Sequence, residues 1–338
     1  MAHNLEISED GSQVAFALRG APAWHGLADR IFGEDEIVST SDMLKAAHLS
    51  DWNVRLEQVS TLTPDTYRFV TEPWLVLRTN PFDQGTDVLA TVGERYQEVQ
   101  NEELFSFGDN ILDADASWES AGSIKDGRVV FGSLLMPREV VIDPQGANDK
   151  TVTYLLVTTS HDGSLAVQAC VTPVRVVCQN TLNAALHGVK QSFKIRHTQT
   201  VTGKVEQARS ALGLTYKYMD AFEAEAQALY TQSITDDTFD KIVRALYPEP
   251  EADVKGAAKK WQTKVDLISD LYHTSPTTET IRGTAWGAYN ALTERIDYFR
   301  SARKGNTANL AISASGFDPV INAQKNQILS AVKELAFA

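Results

Sequence analysis

Residues 151–182, TVTYLLVTTSHDGSLAVQACVTPVRVVCQNTL, decide the reading of this chain. Thr151–Thr159 is rich in β-branched and aromatic residues, which suit a pleated, half-buried surface. His161-Asp162-Gly163-Ser164 is a turn signal by its polar and glycine content. Leu165–Val177 is a second apolar run. After Asn180 the pattern turns helical, with Thr181–His187 (TLNAALH) starting a helix. The stretch therefore holds the last hairpin of a β-rich region and the first helix of another.

Upstream, Trp118–Ile124 and Val129–Pro137 read as strands, with Asp126-Gly127 between them as a hairpin turn. Asn101–Leu112 reads as a helix, with Asn101 as N-cap and Glu102 and Glu103 at its positive end. Trp52–Val59, Tyr67–Thr79, Asp87–Val92 and Glu94–Val99 carry strand signals, and Asn80–Gly85 reads as a loop. Ser39–His48 is expected to be a short helix capped by Ser41, and residues 1–35 an irregular arm. Downstream, Gly203–Thr231, Asp236–Tyr247, Ala252–Leu271, Thr280–Ser301 and Pro319–Leu335 show helical periodicity.

The fold class expected is α+β. A β-rich N-terminal half, with antiparallel strands and an interposed helix, is followed by a mainly helical C-terminal half. The organisation expected is an arm and short helix over 1–50, an α+β core over 51–185 and a mainly helical region over 186–338.

The chain has 338 residues, of which 43% are hydrophobic, and a net charge of −13. That composition excludes wholesale disorder. No apolar run reaches the roughly 18 residues a membrane span needs, and MAHNLEISEDGS lacks the signature of a signal peptide. A cytoplasmic protein without membrane contact is expected. Cys170 and Cys178 are the only cysteines. On one strand they would stand roughly 26 Å apart, too far for a disulfide. Both read as buried, reduced thiols.

The charge is uneven. Residues 163–217 hold seven bases and one acid, Glu206, for a net +6, so the remainder carries −19. Residues 218–255 hold nine acids against three bases. A basic island in an acidic chain suits contact with phosphates. The alternative is that the adjoining acids pair with those bases. Asn180 stands at the strand-to-helix junction, where it could cap the helix or help hold an anion.

Other chemistry has weaker support. Neither GxxxxGK[ST], GxGxxG nor GxSxG occurs, so no cofactor is expected. His161, His187 and His197 with the two cysteines show no zinc-module spacing, and no metal site is expected.

Several segments together resemble the phage/plasmid-like protein family, a domain of unknown function numbered 932. They are Trp24-His25-Gly26-Leu27, Gly93-Glu94-Arg95-Tyr96 with Val99-Gln100-Asn101, and Ser160–Ser164. Thr172–Leu182 (TPVRVVCQNTL) is the most specific, and Arg196-His197-Thr198 and the helix carrying Trp286, Asn290, Thr293 and Glu294 add to them. Ala28 departs from an expected glycine, and Tyr298 after Asp297 from an expected histidine, which weakens any Asp-His role there. The resemblance implies a mobile-element origin and a bacterial cytoplasm. The strand–strand–strand–helix order of residues 52–112 is also similar to the core of phage single-strand annealing proteins, an analogy at fold level.

The function expected is therefore an oligomeric protein, a ring or filament, that binds or anneals single-stranded DNA. Arg175, Asn180, Lys190, Lys194, Arg196 and Lys204 would contact phosphates, and Tyr96 or Phe193 would stack on bases. One alternative is an enzyme acting on a nucleotide or small molecule near Trp24, His161 and Cys178. Another is a protein that binds a host factor through its acidic surface.

Overall fold

A computed structural model describes the chain except for residues 1–4, 21–27, 64–65, 113–114, 176–189, 197–200, 252–255 and 300–318. The first half contains β1 (Phe16–Arg19), β2 (Arg30–Phe32), α1 (Thr40–Ala46), β3 (Arg55–Thr63), β4 (Thr66–Thr79) and β5 (Thr86–Val92). It continues with α2 (Asn101–Phe105), α3 (Asp109–Leu112), β6 (Ser117–Ile124), β7 (Val129–Leu135), β8 (Val140–Ile142), β9 (Asp149–Ser160) and β10 (Gln168–Arg175). The second half begins with β11 (Ser192–Lys194) and continues as α4 (Val201–Thr231), α5 (Asp236–Leu246) and α6 (Ala257–His273). A 3-10 helix (Pro276–Ile281), α7 (Ala285–Phe299) and α8 (Pro319–Ala336) complete it. The fold is α+β, as the hydrophobic patterning indicates.

Among the described residues the strands form two sheets. The larger has eight strands in the order β11-β10-β9-β7-β6-β1-β2, with β8 added beside β9. Its pairings are antiparallel except β1 with β2. The smaller is the antiparallel meander β3-β4-β5. One hydrophobic core joins the sheets to the helices, running from Trp118, Phe105 and Leu155 to Phe222, Trp286 and Tyr289. Trp286 donates its indole N–H to Asp149 Oδ2 at 2.7 Å, tying α7 to the start of β9.

Several local expectations are corrected. Residues 1–35 are not an irregular arm throughout, since β1 and β2 belong to the large sheet and Leu5 and Ile7 form bridges. β1, β2, β8 and β11 are four residues or fewer, too short for a two-residue period to declare itself. Glu94–Val99 pairs with no described strand; its chain turns at Gly93–Tyr96, where Tyr96 N–H donates to Gly93 O at 3.1 Å.

The Asn101–Leu112 helix is broken into α2 and α3. At the break, a Cβ on Gly108 would overlap the Trp118 ring. Asn101 lies inside the helix and is buried, while the cap is Gln100, whose N–H donates to Glu103 at 3.1 Å. Ser39, not Ser41, caps α1 by accepting from Asp42 N–H at 3.1 Å. Thr280–Ser301 divides at Gly283, which has φ +78°, a left-handed conformation natural to glycine. Cys170 is buried and free, and burial pushes its thiol up to about 12. Cys178 and the Thr181–His187 helix lie outside the described residues.

Candidate nucleic-acid interface

The described part of the basic island sits at the edge of the large sheet and on the first turns of α4. β11 is an edge strand whose Lys194 lies opposite Gln168 of β10. Alternation along a strand sends neighbouring side chains to opposite faces. Ser192 and Lys194 are accordingly exposed, whereas Phe193 is half-buried against the core. Lys190 and Arg196 flank the strand and are exposed, and Lys204 is half-buried. The backbone at Arg196 is held from α4, because the Gln207 side-chain amide donates to Arg196 O.

Four of the adjoining acids pair with cations outside this surface. Asp220 and Glu223 of α4 both pair with Arg138, at 2.5 and 2.8 Å. Glu225 pairs with Lys333 of α8 at 2.9 Å, and Asp237 with Lys241 at 2.6 Å. Among the described residues, Lys190, Lys194, Arg196, Lys204, Arg209 and Lys217 take no part in any ion pair. Helical periodicity explains the split: the acids at 220 and 223 lie one turn apart and reach across to the β7–β8 loop.

Arg196 and Lys204 border a cleft of about 630 Å³. Its other wall carries Gln97, Glu98 and Glu103, with Leu104 and Phe107 below. Cations on one wall can hold phosphates, and carboxylates on the other can accept from exocyclic amino groups of unpaired bases. Tyr96 precedes this second wall. Its ring is half-buried, its hydroxyl donates to Ser160 O at 3.3 Å, and burial together with Asp162 and Glu98 pushes it up to about 12. The structure thus brings Arg196 and Lys204 together beside the Tyr96 segment. It places Phe193 on the opposite side of β11 from Lys194. The Arg175 backbone ends β10, and Asn180 lies outside the described residues.

Two segments that carry the family resemblance meet at His161. Its ring is fully buried and packs tilted against Trp52, with ring centroids 5.6 Å apart. Asn101 donates to Leu49 O at 2.9 Å through Nδ2, which leaves Oδ1 to accept from His161 Nε2 at 3.1 Å. The proton therefore belongs on Nε2 of a neutral ring. Burial and the nearby Arg78 push His161 down to about 4. His161 lines none of the clefts of about 630, 770, 620 and 280 Å³ found among the described residues, and its surroundings are those of a packed structural histidine. Trp24 and Cys178, its companions in the enzymatic alternative, lie outside the described residues.

A second buried group titrates in the opposite sense. Glu119 sits at a β-bulge in β6, and burial pushes it up to about 7 despite Arg19 at 3.6 Å. Stability linked to His161 is complete above its unfolded value, about 6.5, and falls as pH drops towards about 4. Stability linked to Glu119 is complete below about 4.5 and falls as pH rises towards about 7. Each is worth about 3 kcal/mol across its window. We expect the two to offset in the wild type between about pH 4.5 and 6.5. Urea denaturation of Glu119→Gln should then show stability lost on acidification, and His161→Gln stability gained. Identical pH profiles in all three proteins would refute the assignment.

Two ionic clusters escape any reading of local sequence. Arg78 is 2% exposed and donates to both Glu6 and Asp87, while its guanidinium stacks 4.1 Å from the Trp52 ring. Gly127, with φ +79°, lies against that guanidinium where a Cβ would collide. Lys325 of α8 pairs with Asp297 of α7 at 2.7 Å, both within the core. The histidine missing after Asp297 is thus not the relevant partner; a lysine from the next described helix is.

A family model described as Domain of unknown function (DUF932) matches residues 88–315. No curated protein and no solved structure matches the chain.

Proposed function

The chain belongs to the DUF932 family, whose description assigns no activity, and from its surface we propose an oligomeric single-stranded DNA-binding protein. The setting we infer is recombination or replication of a phage or other mobile element in a bacterial cytoplasm. Unneutralised cations around β11 and the start of α4 would contact phosphates, and the Arg196–Lys204 cleft would receive unpaired bases. The observation that carries this reading is the pairing of the nearby acids with Arg138, Lys333 and Lys241. Seven bases within 55 residues repel one another. In a chain this acidic, nearby carboxylates could have offset that repulsion had charge balance been their role.

The test is fluorescence anisotropy with a labelled single-stranded oligonucleotide. Binding is expected at low salt, and log K should fall linearly with log salt, by roughly 0.7 per phosphate contacted. Arg196→Glu with Lys204→Glu should weaken it by about tenfold or more, since each 1.4 kcal/mol is tenfold. No binding at low salt would overturn the proposal, as would binding that ignores both substitutions.

A further inference from the structure

The large sheet ends in two short strands whose surroundings carry opposite charge. At one edge, β2 is flanked by Asp29, Glu34, Asp35 and Glu36, all exposed, with Arg30 the one cation in that stretch. At the other edge, β11 lies among Lys190, Lys194 and Arg196, all exposed. Glu34, Asp35, Lys190 and Lys194 form no ion pair among the described residues. Neither strand has a described partner on its outer side. Such edges present backbone N–H and C=O groups that can pair with another chain.

Apolar surface accompanies the acidic edge. Ile31 on β2 is 46% exposed, and Ile37 just beyond it is 98% exposed. An open groove of about 620 Å³ runs beside them, with Arg30, Phe32 and Val38 among its walls. Large apolar side chains left in water beside an open edge mark a contact surface more readily than a solvated one.

Strand direction makes the two edges compatible. β2 runs parallel to β1, which is antiparallel to β6. From β6 through β7, β9 and β10 to β11, each step is antiparallel. β2 and β11 therefore run in opposite directions. A second copy placed edge to edge, with the sheet continuing in the same sense, would meet β11 with its β2 antiparallel, the more stable ladder. That orientation sets the Glu34–Glu36 flank of one copy beside Lys190 of the other.

We propose that copies of this chain assemble head to tail, the acidic β2 edge of one docking antiparallel on the basic β11 edge of the next. The contact is heterologous, so repetition closes a ring or extends a filament. It stands on the two edges alone: Lys190 and Lys194 would pair across the contact, which leaves Arg196 and Lys204 of the cleft for phosphates in the assembled form.

Charge exchange tests it. Sedimentation velocity at low salt compares the wild type, Glu34→Lys with Asp35→Lys, Lys190→Glu with Lys194→Glu, and an equimolar mixture of the two variants. The wild type should form species larger than a dimer. Each double variant places like charges across the contact and should self-associate about a hundredfold more weakly. The mixture should reassemble, because each variant now complements the other, and reassembly also shows that both are folded. A monomeric wild type, assembly indifferent to both variants, or a mixture that stays dissociated would overturn the proposal. Anisotropy on the Glu34→Lys, Asp35→Lys variant separates the two readings. If DNA binding survives while assembly is lost, both stand; if the wild type assembles but never binds DNA, only the DNA reading falls.

Discussion

Arg78→Met is expected to cost about 3–5 kcal/mol of folding stability, the range for leaving a buried charge without its partner. The guanidinium gathers groups that are remote in sequence. It donates to Glu6 Oε2 at 3.0 Å and again to Glu6 Oε1, and to Asp87 Oδ2 at 2.8 and 3.0 Å. Glu6 is 4% exposed and also accepts from the Ser123 hydroxyl. Methionine would retain the contact with Trp52 and abandon the Glu6 carboxylate in the core.

The substitution would therefore detach the N-terminal segment and the β3-β4-β5 sheet from β6 together. Arg78→Lys keeps the charge but loses the planar fork and the stacking, and should fall between wild type and Arg78→Met. Adding Glu6→Gln to Arg78→Met should restore part of the loss, because the stranded charge is gone. Urea denaturation gives the comparison: the midpoint should move while the slope stays constant. A stability for Arg78→Met, taken as midpoint times slope, within about 1 kcal/mol of wild type would rule out an energetic role for the cluster.

Asp297→Asn should be comparably damaging, at about 3–5 kcal/mol. Lys325 is fully buried, and both oxygens of Asp297 lie within 2.9 Å of its Nζ. An amide offers one neutral oxygen in place of a carboxylate and removes the negative charge that faces the ammonium. Lys325→Met strands the carboxylate instead and should cost a similar amount. The double replacement Asp297→Leu with Lys325→Met removes both charges and should be far closer to wild type than either single change. A double-mutant cycle with additive losses would show that the pair is not coupled. Amide exchange adds a local readout: breaking the pair should raise exchange in α8, which packs on α7 and α5 and carries the buried Lys325.

The candidate surface was legible to different depths. Lys190, Lys194, Arg196 and Lys204 stand out because charge clustering needs only a count along the chain. That Arg196 and Lys204 share a cleft while Phe193 turns away does not follow from a count. It requires the β11 pairing, and a strand of three residues leaves no periodic trace. His161 reads as a turn residue from its Asp-Gly neighbours. Its burial comes from Trp52 and Asn101, which lie 109 and 60 residues away.

By itself the sequence determined what depends on neighbours a few residues apart. It set the long strands, the amphipathic helices, the change of character after residue 180 and the separation of basic from acidic stretches. Period and local charge are properties of the chain before it folds. Only the tertiary structure decided which charges are spent on one another. It buried Arg78 between Glu6 and Asp87, paired Asp297 with Lys325, and left opposite charges on the two sheet edges. Those outcomes depend on which remote segments a shared core brings within a few ångströms, and a buried charge must find its partner there because water no longer supplies one.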